Sequence, residues 1–356
     1  MLPGWTRYFG DFRAGSDFLD SKPARSLWAL PMFLDSVCRA FGQVVFANNP
    51  VSGLVVVAAL LVADPRAAAA GLFAASVATA GACLLGQPGG SVRAGLTSYS
   101  AVLVGTVTAS LAGPDSIGHH VLWPALFVGA VLSVYVTAGL ANALGSLRPA
   151  LPCLTLPFNA VAWLLLACLQ ARGAAPPPLA LGRNLTAHGH FAQMLSGCLL
   201  SAGQVYAVED TTSSALVFLA VALFSPTLAA VSFTGALLGT LAGVMMLGRP
   251  GLHLATSGAL GYNSLLSAAA VGGMFYVISW RSCLAAVFNA IMTSLVFVAL
   301  LRPMAQVGLP VLTMPFVTST LVFLACSSDQ DGAMERPREM SFPERHRSER
   351  ARRPPA

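Results

Sequence analysis

Two stretches of the chain decide how the rest is read: Leu151-Pro152-Cys153-Leu154-Thr155-Leu156-Pro157-Phe158 and Leu309-Pro310-Val311-Leu312-Thr313-Met314-Pro315-Phe316. Both follow the pattern Leu-Pro-x-x-Thr-x-Pro-Phe, 158 residues apart. Two prolines five residues apart interrupt regular helical hydrogen bonding, free backbone carbonyls and hold a threonine hydroxyl between them. One such box alone reads as a proline kink whose threonine bonds its own helix. Two boxes at equivalent places in two repeats point instead to a symmetric lining.

Working outward from the boxes, the repetition extends along the chain. Gly42-Gln43-Val44 returns as Gly203-Gln204-Val205, 161 residues later. Gly95-Leu96 with Tyr99 and Leu103 is echoed by Gly261-Tyr262 and Leu266, with 163 residues between the tyrosines. The order is preserved throughout. Each half parses as one short apolar segment, near 30–47 and 194–208, followed by five spans. In the first half these lie near 50–64, 67–86, 95–113, 121–145 and 151–171; in the second, near 214–225, 228–247, 258–278, 282–303 and 309–326. An odd number of spans per half inverts the second copy relative to the first, and inverted repeats place the substrate path at their interface.

Composition sets the environment. Of 356 residues, 56% are hydrophobic and 10% charged, and the mean hydropathy is +0.71. Soluble domains carry about 25% charged residues. Segments such as 67–86, 121–144 and 228–247 approach the roughly 20 apolar residues needed to span a bilayer. The expected fold is therefore an all-α polytopic membrane protein of ten spans in two inverted repeats. The expected divisions are an N-terminal segment 1–29, a first repeat 30–171, a linker 172–191 with Pro176-Pro177-Pro178, a second repeat 192–326 and a tail 327–356. The tail is dense in Arg and Glu, lacks periodicity and reads as disordered. Its arginines are nearly balanced by acids, which argues against nucleic acid as a partner. Topology follows Lys and Arg rather than net charge, so the tail, with Lys22 and Arg25, places both termini in the cytoplasm.

Chemistry-bearing residues are sparse. The seven cysteines have no metal-ligand spacing and read as small core residues. His119-His120 and His188-Gly189-His190 read as solvated loop histidines, and no cofactor is expected. Ionisable groups at membrane depth mark ion and proton pathways, and here only Glu209 and Asp210 approach that position. The polar inventory at depth is amides and hydroxyls: Gln43, Asn48, Asn49, Thr155, Asn159, Gln204, Asn263 and Thr313. That set suits a neutral, hydrogen-bonding solute. Tyr99 with Leu103, and Tyr262 with Leu266, are i,i+4 pairs sharing one helix face. Asn48-Asn49-Pro50 looks like an aquaporin box, but Val51 follows it and the second half has Asp210-Thr211, which excludes that reading.

Several motifs together resemble the urea transporter family. They are Phe33-Leu34-Asp35-Ser36-Val37, Gly42-Gln43-Val44-Val45-Phe46, Asn48-Asn49-Pro50-Val51-Ser52-Gly53, Gly261-Tyr262-Asn263-Ser264, residues 271–277 (Val-Gly-Gly-Met-Phe-Tyr-Val) and the two boxes. The resemblance covers residues 30–326. It implies a passive channel rather than an enzyme, with ten transmembrane helices and two re-entrant half-helices, a homotrimer with one urea pore per subunit. The expected location is the plasma membrane. It further implies that Gln43, Val44 and Phe46 lie on the first re-entrant segment and Gln204 and Val205 on the second. Tyr99, Leu103, Tyr262 and Leu266 would form an apolar slot, with Thr155 and Thr313 at its narrow centre. Two departures stand out: Glu209-Asp210-Thr211-Thr212-Ser213-Ser214 replaces the family's Asn-Pro-x-Thr-Gly run, and Tyr99-Ser100 replaces Tyr-Asn. The alternatives are a channel for another small neutral solute, such as ammonia, a short amide or water, and an ion-coupled secondary transporter centred on Glu209 and Asp210.

Overall fold

The computed structural model describes residues 10–23, 26–112, 117–172, 190–326 and 334–352. The expected linker prolines Pro176-Pro177-Pro178, Arg25 and His188 lie outside the described residues. The described residues form helices α1 (Arg13–Asp20), α2 (Ala29–Gln43), α3 (Pro50–Ala63), α4 (Pro65–Leu84), α5 (Gly89–Arg93), α6 (Tyr99–Leu111), α7 (His119–Gly145) and α8 (Leu156–Ala171). The second half continues with α9 (His190–Gln204), α10 (Thr211–Phe224), α11 (Pro226–Leu247), α12 (Arg249–Thr256), α13 (Tyr262–Ala269), a π-helical turn (Ala270–Met274), α14 (Trp280–Gln306) and α15 (Met314–Ala325). A last helix, α16 (Pro343–Ala351), follows.

Helix starts are set by local chemistry. Asn49 caps α3 by accepting from Val51 N at 2.8 Å, and Pro50 occupies the first position, where its missing N–H costs nothing. Asp64 with Pro65 starts α4, and Ser225 with Pro226 starts α11. Asp210 caps α10 through Ser213 N at 2.6 Å without a following proline. The altered run after α9 nevertheless keeps its turn: Ala207 is left-handed at φ 59°, matching Phe46 at 64°.

Four helices, Pro65–Leu84, His119–Gly145, Pro226–Leu247 and Trp280–Gln306, are long and apolar enough to cross a membrane. Five shorter apolar helices accompany them: α3, α6, α8, α10 and α15. Side chains are distributed as a bilayer requires. Large apolar groups such as Leu54, Phe127, Leu164, Phe233 and Phe288 face outward, while Ser52, Thr106, Asn159, Asn263 and Asn289 are buried. The chain is thus an all-helical, membrane-embedded protein.

Equivalent helices pack in the same way in each half. α4 packs on α6 and α7 as α11 packs on α13 and α14, and α2 meets α3 as α9 meets α10. Small residues allow the close approach: a Cβ on Gly105 would lie 2.4 Å from Ala70 O, and one on Gly239 would lie 2.2 Å from Ser264 Oγ. The halves join chiefly where α3 packs on α10. There Ser52 Oγ donates to Ala220 O at 2.7 Å, and nearby Tyr206 OH donates to Phe41 O at 2.7 Å.

Several expectations change. The segments 95–113 and 258–278 are not single helices. Each begins in a turn after a short helix, α5 or α12, and the second ends in the π-helical turn. In the tail, residues 334–352 pack on the end of the bundle that holds the first cavity, where Ser341, Phe342 and His346 are buried. Only Cys198 of the cysteines is fully buried; Cys83, Cys168, Cys283 and Cys326 are exposed, since a thiol facing lipid loses little. His119 and His120 open α7 instead of lying in a loop.

Candidate functional site

Two cavities approach each other in the middle of the bundle. The first, about 550 Å³, is walled by Gln43, Val44 and Phe46 at the end of α2, by Tyr99 on α6, and by the whole stretch Leu151–Thr155. Phe275 and Phe316 complete it, each packed edge-on against Phe46 with ring centroids 6.0 and 6.1 Å away. The second, about 510 Å³, is walled by Gln204 and Val205 at the end of α9, by Tyr262 on α13, and by Leu309–Thr313. Phe158 and Phe297 complete that one. The first box therefore runs from the first cavity to its Phe158 in the second, and the second box runs the opposite way to Phe316.

Where the two cavities meet, Thr155 Oγ1 and Thr313 Oγ1 are 2.7 Å apart. Asn159 braces the pair. Its Nδ2 donates to Thr313 Oγ1 at 3.0 Å and to Thr155 O at 2.8 Å, and its Oδ1 accepts from Thr313 N at 3.1 Å. Each threonine follows a leucine in the left-handed region, Leu154 at φ 46° and Leu312 at φ 54°. Such a conformation costs on the order of 1–3 kcal/mol for a non-glycine residue and persists only where surroundings enforce it. Here the enforcers are the tyrosines: Tyr99 OH donates to Leu154 O, and Tyr262 OH donates to Leu312 O. Asn263 adds a bond from Nδ2 to Leu312 O at 3.1 Å and accepts Phe316 N at 3.2 Å.

Nine of the eleven residues singled out from the sequence border one cavity or the other. Leu103 and Leu266 border neither and are fully buried. Their placement is nonetheless informative. Tyr99, Leu103 and Val107 share one face of α6; Tyr99 borders the first cavity and Val107 the second, so Leu103 stands at the level between them. Tyr262 borders the second cavity and Met274 the first, with Leu266 between.

The electrostatics of the walls are nearly neutral. Gln43 Oε1 is buried with no hydrogen-bond partner among the described residues, whereas Gln204 Nε2 donates to Ser257 O at 3.0 Å. Glu209 borders the second cavity and Asp11 the first. Among the described residues, no group of three His, Cys, Asp or Glu is placed to hold a metal ion.

Sequence reasoning named Met274 and Phe275 only as part of the 271–277 motif, without a place in a wall, and overlooked Phe297, whose only signal was an aromatic in a long apolar run. It also overlooked Asp11, Met340 and Ser341, which reach the first cavity from the chain termini. Phe158 and Phe316 were visible as the last residues of the boxes.

Comparisons with known proteins agree on one family. A family model described as Urea transporter matches residues 34–328. The sheep protein Urea transporter 1 (Ovis aries) is 31% identical over 350 residues, covering 95% of this chain and 87% of that protein. Its rat counterpart (Rattus norvegicus) is 31% identical over 336 residues, covering 92% and 84%. The mouse protein of the same name (Mus musculus) is 30% identical over 321 residues, covering 88% and 81%.

Proposed function

The chain belongs to the urea transporter family, a family of membrane transport proteins and not of enzymes, and from that premise we propose that it conducts urea passively between its two cavities. The observation that carries this reading is the Thr155–Thr313 hydroxyl pair set between the two cavities. Urea is planar, with N–H donors on both nitrogens and one carbonyl acceptor. In the apolar stretch between the cavities, each unpaired donor would cost on the order of 1–3 kcal/mol. Two hydroxyls that now bond each other can rotate to accept those donors as urea passes. Leu103 and Leu266 form the flat walls at this level, and Gln43, Val44, Phe46, Tyr99, Gln204, Val205 and Tyr262 line the approaches. Hydrated ions meet a much larger barrier, because no buried counter-charge stands at the centre. Bonds among neutral groups remain weak enough for release.

The proposed layout has ten spans, α3, α4, α6, α7 and α8 with α10, α11, α13, α14 and α15, with α2 and α9 as re-entrant half-helices. The opposite running directions of the two boxes support an inverted relation between repeats 30–171 and 192–326. Lys22, Arg93, Arg148, Arg281, Arg336 and Arg345 gather at the end that holds the first cavity and both termini. Arg66, Arg172, Arg249 and Arg302 lie toward the other end. That bias supports cytoplasmic termini, with the 172–191 linker outside. Family membership further supports a homotrimer in the plasma membrane with one path per subunit.

Stopped-flow light scattering of proteoliposomes, with no ion gradient, tests the central claim. Fast, saturable and non-concentrative urea flux is expected. Flux no greater than in empty liposomes, with protein correctly inserted, would remove urea and turn attention to ammonia, short amides or water. Uphill uptake driven by an ion gradient would replace the channel by a coupled transporter. Leu103→Ala or Leu266→Ala should relax selectivity toward larger amides, and unchanged analogue selectivity would move those leucines out of the path.

A further inference from the structure

Residues 334–351 lie beyond the repeated architecture, yet they are held at many points. Phe342 packs edge-on against Phe224, with ring centroids 6.0 Å apart. The same ring covers Gly10, where even a Cβ would sit 2.3 Å from it. Pro343 closes over Gly273. Glu344 accepts from Ser225 Oγ at 2.7 and 2.9 Å and from Thr227 N at 3.0 Å, at the N-terminus of α11, where a carboxylate is favoured. Arg345 reaches Asp11 at 3.2 Å, and Ser341 Oγ donates to the same carboxylate. His346 accepts Ser341 N through Nε2 at 3.0 Å, so its Nδ1 carries the proton and faces Gly273 O at 3.3 Å. Upstream, Arg336 donates to Ala150 O and to Leu324 O, each at 2.9 Å, and Val277 N donates to Glu335 O at 2.8 Å.

This segment is fastened to both halves, since Ala150 belongs to the first and Ser225, Gly273 and Val277 to the second. It also reaches the path: Met340 and Ser341, with Asp11, form part of the wall of the first cavity. Its apolar anchorage is small, chiefly Phe342 and Pro343, and most of its hold is polar, with the Arg336–Ala150 bond and the Glu339 carboxylate exposed. Segments of that kind open locally at low free energy while the bundle stays intact.

We propose that residues 334–351 form an autoinhibitory strap across the terminal-side mouth of the first cavity, whose release sets how freely solute enters. The strap rests on the reading of that cavity as part of the urea path. It works by mass action on access: docked, it narrows the mouth; released, it leaves Asp11 and the Gln43 level open to water.

Cys153 provides a readout independent of the solute, because it is half-buried and borders the first cavity. The full-length protein and a Glu344→Ala/Arg345→Ala variant are reconstituted and treated with a membrane-impermeant maleimide. Modification of Cys153 is followed by peptide mass spectrometry, alongside urea flux. Loss of both sets of charged hydrogen bonds, Glu344 with Ser225 and Thr227 and Arg345 with Asp11, should speed Cys153 modification at least roughly tenfold, with urea flux rising in parallel. Unchanged modification in correctly inserted protein would overturn the strap. Faster modification with unchanged, measurable urea flux would reduce it to a passive cover and overturn its regulatory role. Faster modification when neither protein carries urea would leave the strap standing and the urea reading failed.

A second variant guards against misfolding. Asp11→Cys with Ser341→Cys should form a disulfide that slows Cys153 modification, with reductant restoring the rate, against the parent chain treated identically. No dependence on oxidant would count against the strap.

Discussion

Helices α6, α7 and α8 occupy the same relative places as α13, α14 and α15, but the two groups are joined by different chemistry. The later three share a polar network. Ser267 Oγ and Thr293 Oγ1 are 2.7 Å apart, Thr293 Oγ1 donates to Ser319 Oγ at 3.0 Å, and Asn289 Nδ2 reaches Ser267 O and Thr320 Oγ1 at 3.2 and 3.3 Å. The earlier three meet through apolar side chains, among them Val104, Leu126, Ala130 and Leu165. The boxes show the same imbalance. Leu312 and Phe316 are braced by Asn263, whereas the residue beside Tyr99 is Ser100, whose buried hydroxyl finds no partner among the described residues. Yet the backbones agree closely at two matching turns: φ is 65° at Gly86 and 64° at Gly248, and 46° and 54° at Leu154 and Leu312. The turns and the helix order thus agree between the halves, while the side chains that join the helices differ.

The sharpest way to break that equivalence is at the centre. Thr313→Val should slow urea flux about tenfold or more, since a removed acceptor costs roughly 1–3 kcal/mol in a dry site. Thr155→Val should cost less, because Thr313 Oγ1 also serves Asn159 and its loss disturbs a second buried amide. Stopped-flow measurement of the two variants side by side decides the matter; equal losses would mean the hydroxyls are interchangeable and the asymmetric bracing is irrelevant. Next in size, Asn263→Ala should lower stability in detergent by about 1–3 kcal/mol by stranding Leu312 O and Phe316 N. Ser100→Ala should stay within about 0.5 kcal/mol. A thermal melt in which Ser100→Ala proved the more damaging would reverse the comparison. Smaller still, Ser100→Asn should copy the second-half brace and raise stability by about 0.5–1.5 kcal/mol; a lower melting temperature would mean the first box has no room for it.

The least of the expected effects concerns the strap, which has no counterpart in the repeat. Burial lowers the His346 imidazole below its usual 6.5, against the opposing pull of Gly273 O, Glu349 and Asp11 and of its bond with Glu339 backbone. The released strap then binds a proton that the docked strap refuses. Docking is therefore at full strength above pH 6.5 and weakens as pH falls through that value toward the lower, docked one. Asp11 works in the opposite sense. Burial pushes its carboxyl above the usual 3.8 despite Ser341, Arg345 and Arg39, so its share of docking is present at lower pH and lost as pH rises through the raised value. Proteolysis at Arg347 should speed up below pH 6.5 relative to a His346→Gln variant; identical profiles would show that His346 does not control the strap.

Much of this was legible in the sequence, for identifiable reasons. The repeat offsets survive because left-handed turns and proline-led helix starts tolerate few substitutes, so Gly42-Gln43-Val44 and the two boxes keep their spelling. Helix ends at Pro50, Pro65 and Pro226 could be read directly. What could not be read is whatever depends on the outer environment or on distant partners. The exposed cysteines read as core because lipid accepts what water would reject. The packing of residues 341–346 depends on Gly10, Gly273 and Ser225, none adjacent in sequence, and so left no local pattern to read. Tyr99-Ser100 is visible in the sequence as a departure from the family's Tyr-Asn, but the brace that Asn263 makes in the second half and Ser100 lacks depends on Leu312 and Phe316, 49 and 53 residues away.

The seam between α3 and α10 has a consequence for how the protein is made. Ser52 leaves the ribosome 168 residues before Ala220, the carbonyl it will bond. At roughly 5–20 residues per second, α3 must wait about 8–34 s for its partner. Through that interval its inward face, with Ser52 and Gly53, has nothing from the second half to meet. Assembly is thus timed by translation: the first half is a resident awaiting its mate, and slow codons placed between the halves would lengthen the wait.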